Sequence, residues 1–463
     1  MDEPAFPSRL SASDSLMWRI ESDPVLRSPI VVVGLLDRSP TPEAMEASIR
    51  RAAEILPRLR QRIEPPPGVG RPRWHEEELS LAHHLRRVCV PGGDIAAVLA
   101  TAEPDAAAAF DPARPPWTLT VVDGLDRGRS GIVLRFHHAI TDGVGGIEIA
   151  DLLFDRSRRP RSSRVTPTAT EPLPSSGTLD PRRLVADGAN SARRLLTVAT
   201  NPARSVAAST RTVRSAARML APASGGGSPE LAGRSLDRRL AVTERPLSSL
   251  KGAAHATGGT VNDVLLAAVA GALAAYHRAQ GNPVPAVRVT MPISIRRHDD
   301  QMGGNRFVPA RFTLPIDDPD PRARVKLAGA IVRNWRDEPA LGSTNLLAAA
   351  LGLLPGPIVT RLFASMLRSI DVDVVDVPGL DRSAFLGGAR IERLWAFAPP
   401  TGAALSVTLM SHGRICCVGL VCDRRAVADP ERLHLCLDAA LDEVIALDAR
   451  RKNAGSRSTR RSA

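Results

Sequence analysis

The order of apolar and polar residues around position 137 predicts a strand, a turn and a helix in succession. Apolar side chains dominate residues 131–136, which is typical of a buried strand, and they recur at helical spacing over residues 144–153. The turn between them contains the sequence His-His-Ala-Ile-Thr-Asp-Gly, residues 137–143. We expect Gly143 to allow a tight turn because it lacks a Cβ, and Asp142 to fold back and fix the shape of the histidine loop.

The same patterns predict that strands and helices alternate along most of the chain, which is typical of an α/β fold. Thr41 and Thr260 are good N-caps for two of the helices. The predicted strands cover residues 30–36, 119–122, 287–296, 390–397, 405–411 and 415–422, and the predicted helices cover residues 41–56, 247–255, 260–276 and 430–447.

Length and composition divide the chain into four segments. A chain of 463 residues is too long for one ordinary core, so we expect two domains. Residues 1–155 and 234–448 have the patterns of two α/β halves. Residues 156–233 predict a basic, partly helical linker, and residues 449–463 predict a disordered basic tail.

The net charge of +12 first suggests a nucleic-acid partner, but the distribution of the charge argues against one, and no nucleic-acid-binding motif supports it. Of that charge, residues 156–219 carry +10 and residues 450–463 carry +6, which leaves −4 for the rest of the chain. In the linker, a predicted helix has a basic face that would either lie on an anionic membrane or lipid droplet or cover a groove of the protein itself. That face contains Arg204, Arg211, Arg214 and Arg218.

The cysteines and the apolar runs bear on localisation. Five cysteines show no metal-site spacing, and their odd number argues against a complete set of disulfides, so we expect reduced thiols. Residues 1–10 have no apolar signal-peptide core, and the apolar runs 264–276 and 346–359 are shorter than the ~20 residues of a spanning helix. The prediction is a cytoplasmic protein, with peripheral attachment to the inner face of the plasma membrane or to lipid droplets as the alternative.

Two histidines at the end of a strand suit acyl transfer. A neutral imidazole near pH 7 can accept a proton from an alcohol, and the end of a strand directs side chains into a cleft. No Gly-x-Ser-x-Gly nucleophile motif competes for this role. A second pair, His83 and His84, has no following Asp-Gly, so we interpret it as a structural or surface pair.

Residues 137–143 match the HHxxxDG signature of the CoA-dependent acyltransferase superfamily, and the whole chain resembles the bacterial wax ester synthase/diacylglycerol acyltransferase (WS/DGAT) family. Three further stretches are similar to segments of that family. They are Thr-Val-Asn-Asp at residues 260–263, the Gly-Gly-Asn loop at 303–305 and Asp-Val-Pro-Gly at 376–379. A Pro-rich turn, residues 114–117, resembles its Pro-Leu-Trp motif and predicts a buried tryptophan beside the catalytic strand.

The resemblance implies two chloramphenicol-acetyltransferase-like halves with a tunnel between them, and His138 acting inside it as the general base. It also implies catalytic roles for His137, Asp142 and Gly143, with Asp142 bound to an arginine that the sequence does not identify. Backbone N–H groups, with help from Asn262, would stabilise the oxyanion, and Asn262, Asp263 and Asn305 would contact substrate. Acyl-CoA would be a co-substrate, diacylglycerol or a long-chain alcohol the acceptor, and neither metal nor cofactor would be required.

Two departures from the family pattern and two rival functions accompany this prediction. Pro116 replaces a leucine, and Asp376 stands where the family has asparagine, which would alter the contacts of the acceptor. One rival is a superfamily member that acylates a polyketide or peptide. The other is a non-catalytic scaffold on lipid surfaces, against which the presence of both His138 and Asp142 argues. The sequence predicts no oligomeric state.

Overall fold

The computed structural model describes residues 7–66, 70–159, 226–295, 305, 307–337 and 356–461, with side chains described up to residue 448 of the last range. Most of the predicted linker, including its basic face, therefore lies outside the described residues. The loop before Asn305 lies outside them as well.

Strands and helices alternate in the described residues, as predicted. The strands are β1 (Pro29–Leu36), β2 (Gln61–Glu64), β3 (Arg73–Glu76), β4 (Leu85–Gly93), β5 (Trp117–Leu125), β6 (Ser130–His137), β7 (Arg238–Pro246), β8 (Ala286–Ser294), β9 (Phe307–Pro315), β10 (Val372–Leu380), β11 (Phe385–Leu386), β12 (Ala389–Phe397), β13 (Leu405–His412) and β14 (Ile415–Asp423).

The helices are α1 (Ala12–Ile20), α2 (Pro42–Ile55), α3 (Leu81–His84), α4 (Ile95–Ala102), α5 (Gly143–Leu153), α6 (Leu247–Thr257), α7 (Val261–Ala279), α8 (Pro321–Arg336), α9 (Gly356–Leu367) and α10 (Pro430–Arg461). No single helix among the described residues is long and apolar enough to cross a membrane, although α6 and α7, bent by 92°, pass that test together.

Two six-stranded sheets carry the fold. The first has the spatial order β11-β12-β1-β6-β5-β4 and the second the order β7-β14-β13-β10-β8-β9. Each mixes antiparallel and parallel pairs: β5 pairs antiparallel with β6 and parallel with β4, and β10 pairs parallel with both β8 and β13. The predicted α/β class with two sheet-based halves is confirmed.

The boundaries of the halves differ from the predicted ones. β12 lies within the segment assigned to the second half, yet it pairs antiparallel with β1, with Val33 opposite Trp395. β11 extends the same sheet beyond β12. Residues 385–397 therefore belong to the first sheet, and the division at residues 155 and 234 does not separate two independent units. Local apolar patterns predict strands but not which sheet each strand joins.

The core of the second half is built around α7. Thr260 and Asp263 form a capping box at its start, so two backbone N–H groups of the first turn are bonded by side chains. Most of the helix is buried, including the run Val264–Ala274. Its alanine-rich surface allows α8 and α10 to pack closely on it.

The last helix is longer than predicted. We expected a helix over residues 430–447 and a disordered tail after it, but α10 runs from Pro430 to Arg461. Arginine, lysine and alanine, which make up much of residues 449–461, are good helix formers, and no proline interrupts this stretch. The disordered tail is therefore a wrong prediction for residues 449–461.

Candidate active site

The histidine loop joins the central strand of the first sheet to α5. β6 lies between β1 and β5, and Pro29 and Trp117 on those strands face His137 and Phe136. The backbone N–H of His137 donates to the carbonyl of Pro116 (2.9 Å), and that of His138 donates to Ser28 (3.3 Å). Both neighbouring strands thus fix where β6 ends and where the second histidine begins.

His137 is fully buried, and each of its ring nitrogens lies close to a polar atom. Its Nδ1 accepts a hydrogen bond from the backbone N–H of Ala139 (2.8 Å), and its Nε2 lies 2.9 Å from Oε1 of Glu21. Burial alone would raise the pKa of Glu21, but the charge attraction and hydrogen bond of His137, with hydrogen bonds from Ser28, lower it overall. His137 therefore fixes the loop, and it is absent from the lining of the cavity described below.

The imidazole of His138 is oriented by Asn305 from the other half of the chain. The side-chain nitrogen of Asn305 donates to two oxygens, Oδ1 of Asp14 (2.7 Å) and the backbone carbonyl of His138 (2.9 Å). Its oxygen must therefore face Nδ1 of His138, at 2.6 Å, and Nδ1 must carry the proton. Nε2, on the opposite edge of the ring, is left with the lone pair that a general base needs.

The environment of His138 keeps its imidazole neutral near pH 7. Burial disfavours the charged ring and is the largest influence, so the pKa of His138 lies below its ordinary value. The negative charge of Asp142 and the hydrogen bond to Asn305 oppose this effect without reversing it. His138 is therefore in the form that accepts a proton.

Asp142 and Gly143 connect the loop to the helix. Asp142 is the N-cap of α5, and its Oδ1 accepts a hydrogen bond from the N–H of Gly145 (2.9 Å). At Gly143 a Cβ would lie only 3.0 and 3.2 Å from the two methyl groups of Val377 on β10. The missing side chain thus permits a close approach between the start of α5 and the second sheet. Gly143 is not required here for a positive φ angle.

A cavity of about 230 Å³ lies between the two sheets and includes His138, Asp142 and Gly143 in its wall. Strands β1, β6 and β12 supply one side, strands β8, β9, β10 and β13 the other, and helices α1, α5 and α9 complete it. Most of the lining is apolar. Asp376, the departure from the family pattern, also lies on its wall. A pocket of this character suits an aliphatic chain.

Two predicted substrate contacts lie elsewhere. Neither Asn262 nor Asp263 is among the residues that line this cavity. Asp263 is occupied by the capping box with Thr260, and both side chains sit buried in the first turn of α7. The structure thus brings together His137, His138, Asp142, Gly143 and Asn305, and leaves Asn262 and Asp263 out.

Sequence reasoning missed several residues of the site. Asp14 binds both nitrogens of Asn305, and Glu21 pairs with His137, although both lie in or just after α1, more than 100 residues before the motif. Arg311 and Asp373 line the cavity on adjacent parts of the second sheet. Arg311 stands within a mostly apolar strand, whereas Asp14 and Glu21 lie in a polar segment and have no such signal.

Two structural predictions near the site are confirmed. His84 is buried, its ring stacks on Trp117 with centroids 4.3 Å apart, and its Nδ1 contacts the carbonyl of Trp117 at 2.8 Å. Its neighbour His83 is exposed. Trp117 is itself buried and its indole N–H donates to Leu59 (2.7 Å), so the Pro-rich turn anchors β5 beside β6.

The fold is one shared by lipid acyltransferases and peptide-synthetase condensation domains. The wax ester synthase/diacylglycerol acyltransferase from Marinobacter aquaeolei VT8 matches with a TM-score of 0.61 at 20% identity, covering 95% of this chain and 100% of that one. The first condensation domain of the CDA synthetase matches with a TM-score of 0.60 at 18% identity, covering 96% and 97%. The starter condensation domain of rhizomide synthetase, solved in complex with C8-CoA and Leu-SNAC, matches with a TM-score of 0.60 at 15% identity, covering 95% and 94%.

Sequence comparison identifies one family among the proteins that share this fold. The WS/DGAT catalytic-domain model matches residues 10–265 and the WS/DGAT C-terminal-domain model matches residues 303–444. A Mycobacterium tuberculosis H37Rv protein with the provisional name diacylglycerol O-acyltransferase is 34% identical over 96% of this chain and 93% of its own. A second protein of that strain and provisional name is 28% identical over 87% and 90%. The chain belongs to the wax ester synthase/diacylglycerol acyltransferase family.

Proposed function

We propose that this protein transfers a long-chain acyl group from acyl-CoA to the free hydroxyl of diacylglycerol, with a long-chain alcohol as a second acceptor. The family assignment supports acyl transfer to oxygen, and the provisional names of the relatives favour diacylglycerol. The apolar cavity next to His138 supports an aliphatic substrate. The proposed reaction needs no metal or cofactor beyond acyl-CoA as co-substrate.

In the proposed mechanism, His138 is the general base of a direct transfer. Nε2 accepts the hydroxyl proton of the acceptor while the oxygen attacks the thioester carbonyl. The new carbon–oxygen bond replaces the carbon–sulfur bond, and the imidazolium returns the proton to the departing CoA thiolate. No acyl-enzyme forms. The observation that carries this proposal is the 2.6 Å contact between Asn305 and Nδ1 of His138, because it fixes the tautomer in which Nε2 is basic.

Product analysis tests the proposal. Purified protein is incubated with hexadecanoyl-CoA and an equimolar mixture of diacylglycerol and hexadecanol, and the neutral lipids are separated. We expect triacylglycerol as the main product, with wax ester as a minor one. Absence of both esters, under conditions in which another family member forms them, would contradict the proposal.

A carrier-bound donor is the competing hypothesis, because condensation domains share this fold. The same acyl chain is therefore offered as a CoA thioester and as a phosphopantetheinyl carrier-protein thioester. We expect turnover with acyl-CoA and at most a small fraction of that rate with the carrier protein. The reverse preference would favour a polyketide or peptide acceptor.

Cytoplasmic localisation and attachment to a membrane or lipid droplet stay predictions, since the basic face of the linker lies outside the described residues. Flotation with vesicles containing anionic lipid, at low and at high salt, tests attachment. Electrostatic attachment through the linker arginines would weaken as salt screens the charges.

A further inference from the structure

One wall of the cavity has a cross-strand row of polar side chains. Arg311 on β9 pairs with Thr290 on β8, and Thr290 pairs with Asp373 on β10. Because directly paired residues point to the same face of a sheet, the three side chains form one row, and all three line the cavity. The row lies in the second sheet, opposite the strands of the first.

Arg311 is a buried cation with two unsatisfied donors among the described residues. The residue is only 6% exposed, and neither Nε nor Nη1 has a hydrogen-bond partner in the part of the chain that the structure describes. Burial lowers the pKa of Arg311 to about 10, so the guanidinium still carries its charge near pH 7. A buried charge with unsatisfied donors is costly, and proteins normally retain one only where an anion or strong acceptor meets it.

Asp373 does not supply that anion. Burial raises the pKa of Asp373 to about 8, so its carboxyl group is mostly protonated near pH 7. Its Oδ2 lies 3.3 Å from the hydroxyl of Ser406 on the far side of β10 from Arg311. The row therefore carries one positive charge and hydroxyl-type donors, and it lacks a compensating negative charge near pH 7.

The row lies at a defined depth relative to His138. Phe307 on β9 contacts the imidazole, with ring centroids 5.4 Å apart. Arg311 is four residues further along the same face, or about 13 Å at the rise of a strand. On β10, Val377 abuts Gly143, and Asp373 is likewise four residues away. The wall between the two levels is mainly apolar, with Pro292, Pro309 and Val375, and it also includes Asp376.

This spacing defines a chain length. Four extended residues contain twelve backbone bonds, so an extended alkyl chain of roughly ten to twelve bonds spans the same ~13 Å. Resting on the proposed acyl transfer at His138, we infer that the cavity accepts an aliphatic chain bearing a carboxylate about ten to twelve bonds from the reacting group, and that Arg311 binds this carboxylate. The chain can belong to the acyl donor or to the acceptor.

Paired substrates separate these two sources. In the donor arm, the mono-CoA thioester of dodecanedioic acid is compared with dodecanoyl-CoA, using diacylglycerol as acceptor. In the acceptor arm, 12-hydroxydodecanoate is compared with 1-dodecanol, using hexadecanoyl-CoA as donor. We expect the carboxylated member of one pair to be used with the higher kcat/KM, and the preference to fall for chains about four carbons shorter or longer.

Two variants test the residue. Arg311→Met removes the charge with little loss of volume, and it should lower kcat/KM for the carboxylated substrate about 10- to 100-fold, as expected for hydrogen bonds to a charged group. The loss of kcat/KM with the uncharged partner substrate should be clearly smaller than the loss with the carboxylated one. Arg311→Lys keeps the charge and should retain part of the preference.

The outcomes distinguish this inference from the proposed function. Equal loss with both members of a pair in Arg311→Met, or rejection of every carboxylated chain by the wild-type protein while plain chains react, would overturn the inference alone. If the methionine variant fails to fold, the dependence of the wild-type carboxylate preference on chain length still tests the inference. Failure of all donors and acceptors, plain or carboxylated, would instead count against the proposed acyl transfer.

Discussion

The side-chain oxygen of Asn305 meets Nδ1 of His138 across 167 residues of sequence and across the boundary between the two sheets. The basic nitrogen of the imidazole is therefore set by a residue from the opposite half. Asp14 in turn accepts a hydrogen bond from the side-chain amide of Asn305. Three segments that are distant in sequence therefore determine which nitrogen of His138 carries the proton. The site exists only when both halves are folded together.

Replacement of His138 by alanine should abolish ester formation. General-base catalysis contributes about 10²- to 10⁴-fold, so we expect a loss of kcat/KM in that range. The measurement is acyl transfer by purified protein, with circular dichroism to show that the fold is intact. His137→Ala should have a smaller effect on turnover. Substantial activity in folded His138→Ala would rule out the base assignment.

Asn305→Ala should change the pH dependence as well as the rate. Because His138 must be neutral, kcat/KM of the wild-type protein should fall by about tenfold per pH unit below a pKa that is lower than that of free histidine. Asn305 raises that pKa, so its loss should move the acidic limb to still lower pH while reducing the plateau rate about tenfold or more. A reduced plateau with an unmoved limb would indicate a structural role only.

Glu21→Gln should destabilise the protein, and the effect should depend on pH. The pKa of Glu21 is lowered in the folded protein, so its carboxylate contributes stability above its ordinary pKa of 4.5 that is lost as the pH falls through the folded value. We expect a decrease of about 1–3 kcal/mol in the free energy of unfolding at pH 7. Urea unfolding at pH 7 and at a series of pH values from 4.5 downward measures this difference. A difference of equal size at every pH would exclude the ionic contribution.

Gly143→Ala should impair turnover through Val377. The new Cβ would meet the valine methyl groups at 3.0 and 3.2 Å, which displaces the loop that carries His138. A misplacement of about 1 Å can cost about 100-fold in rate. The double variant Gly143→Ala/Val377→Ala removes both methyl groups and should recover much of the lost kcat. Additive losses in the double variant would show that this contact does not transmit the effect.

Asn262→Ala should leave catalysis nearly intact, contrary to the role predicted from the sequence. Asn262 does not line the cavity, so kcat/KM should stay within about threefold of wild type, or about 0.7 kcal/mol. Asp263→Asn, a matched variant in the same turn, should weaken the capping box and lower stability by about 1 kcal/mol. A loss in Asn262→Ala comparable with that in Asn305→Ala would restore the sequence-based role.

Local patterns predicted the strand-turn-helix around His138 and the alternation of elements, because side-chain periodicity is a property of short segments. They did not predict that β12 pairs with β1, since register and sheet membership depend on distant partners. The family resemblance suggested a substrate contact for Asn305, whereas Asn305 bonds to His138 in the structure. Asp14 and Glu21 were invisible for the same reason: their partners are remote in sequence.

The pairing of β12 with β1 also governs how substrates can reach the buried imidazole. The hydrogen-bond ladder between β1 and β12 joins the later part of the chain to the first sheet. A hinge motion that separated the two halves would therefore break main-chain hydrogen bonds. A substrate must therefore reach His138 without separation of the sheets along this ladder. If residues 1–155 were produced alone, one side of β1 would be unpaired, and it could pair with a strand of another molecule.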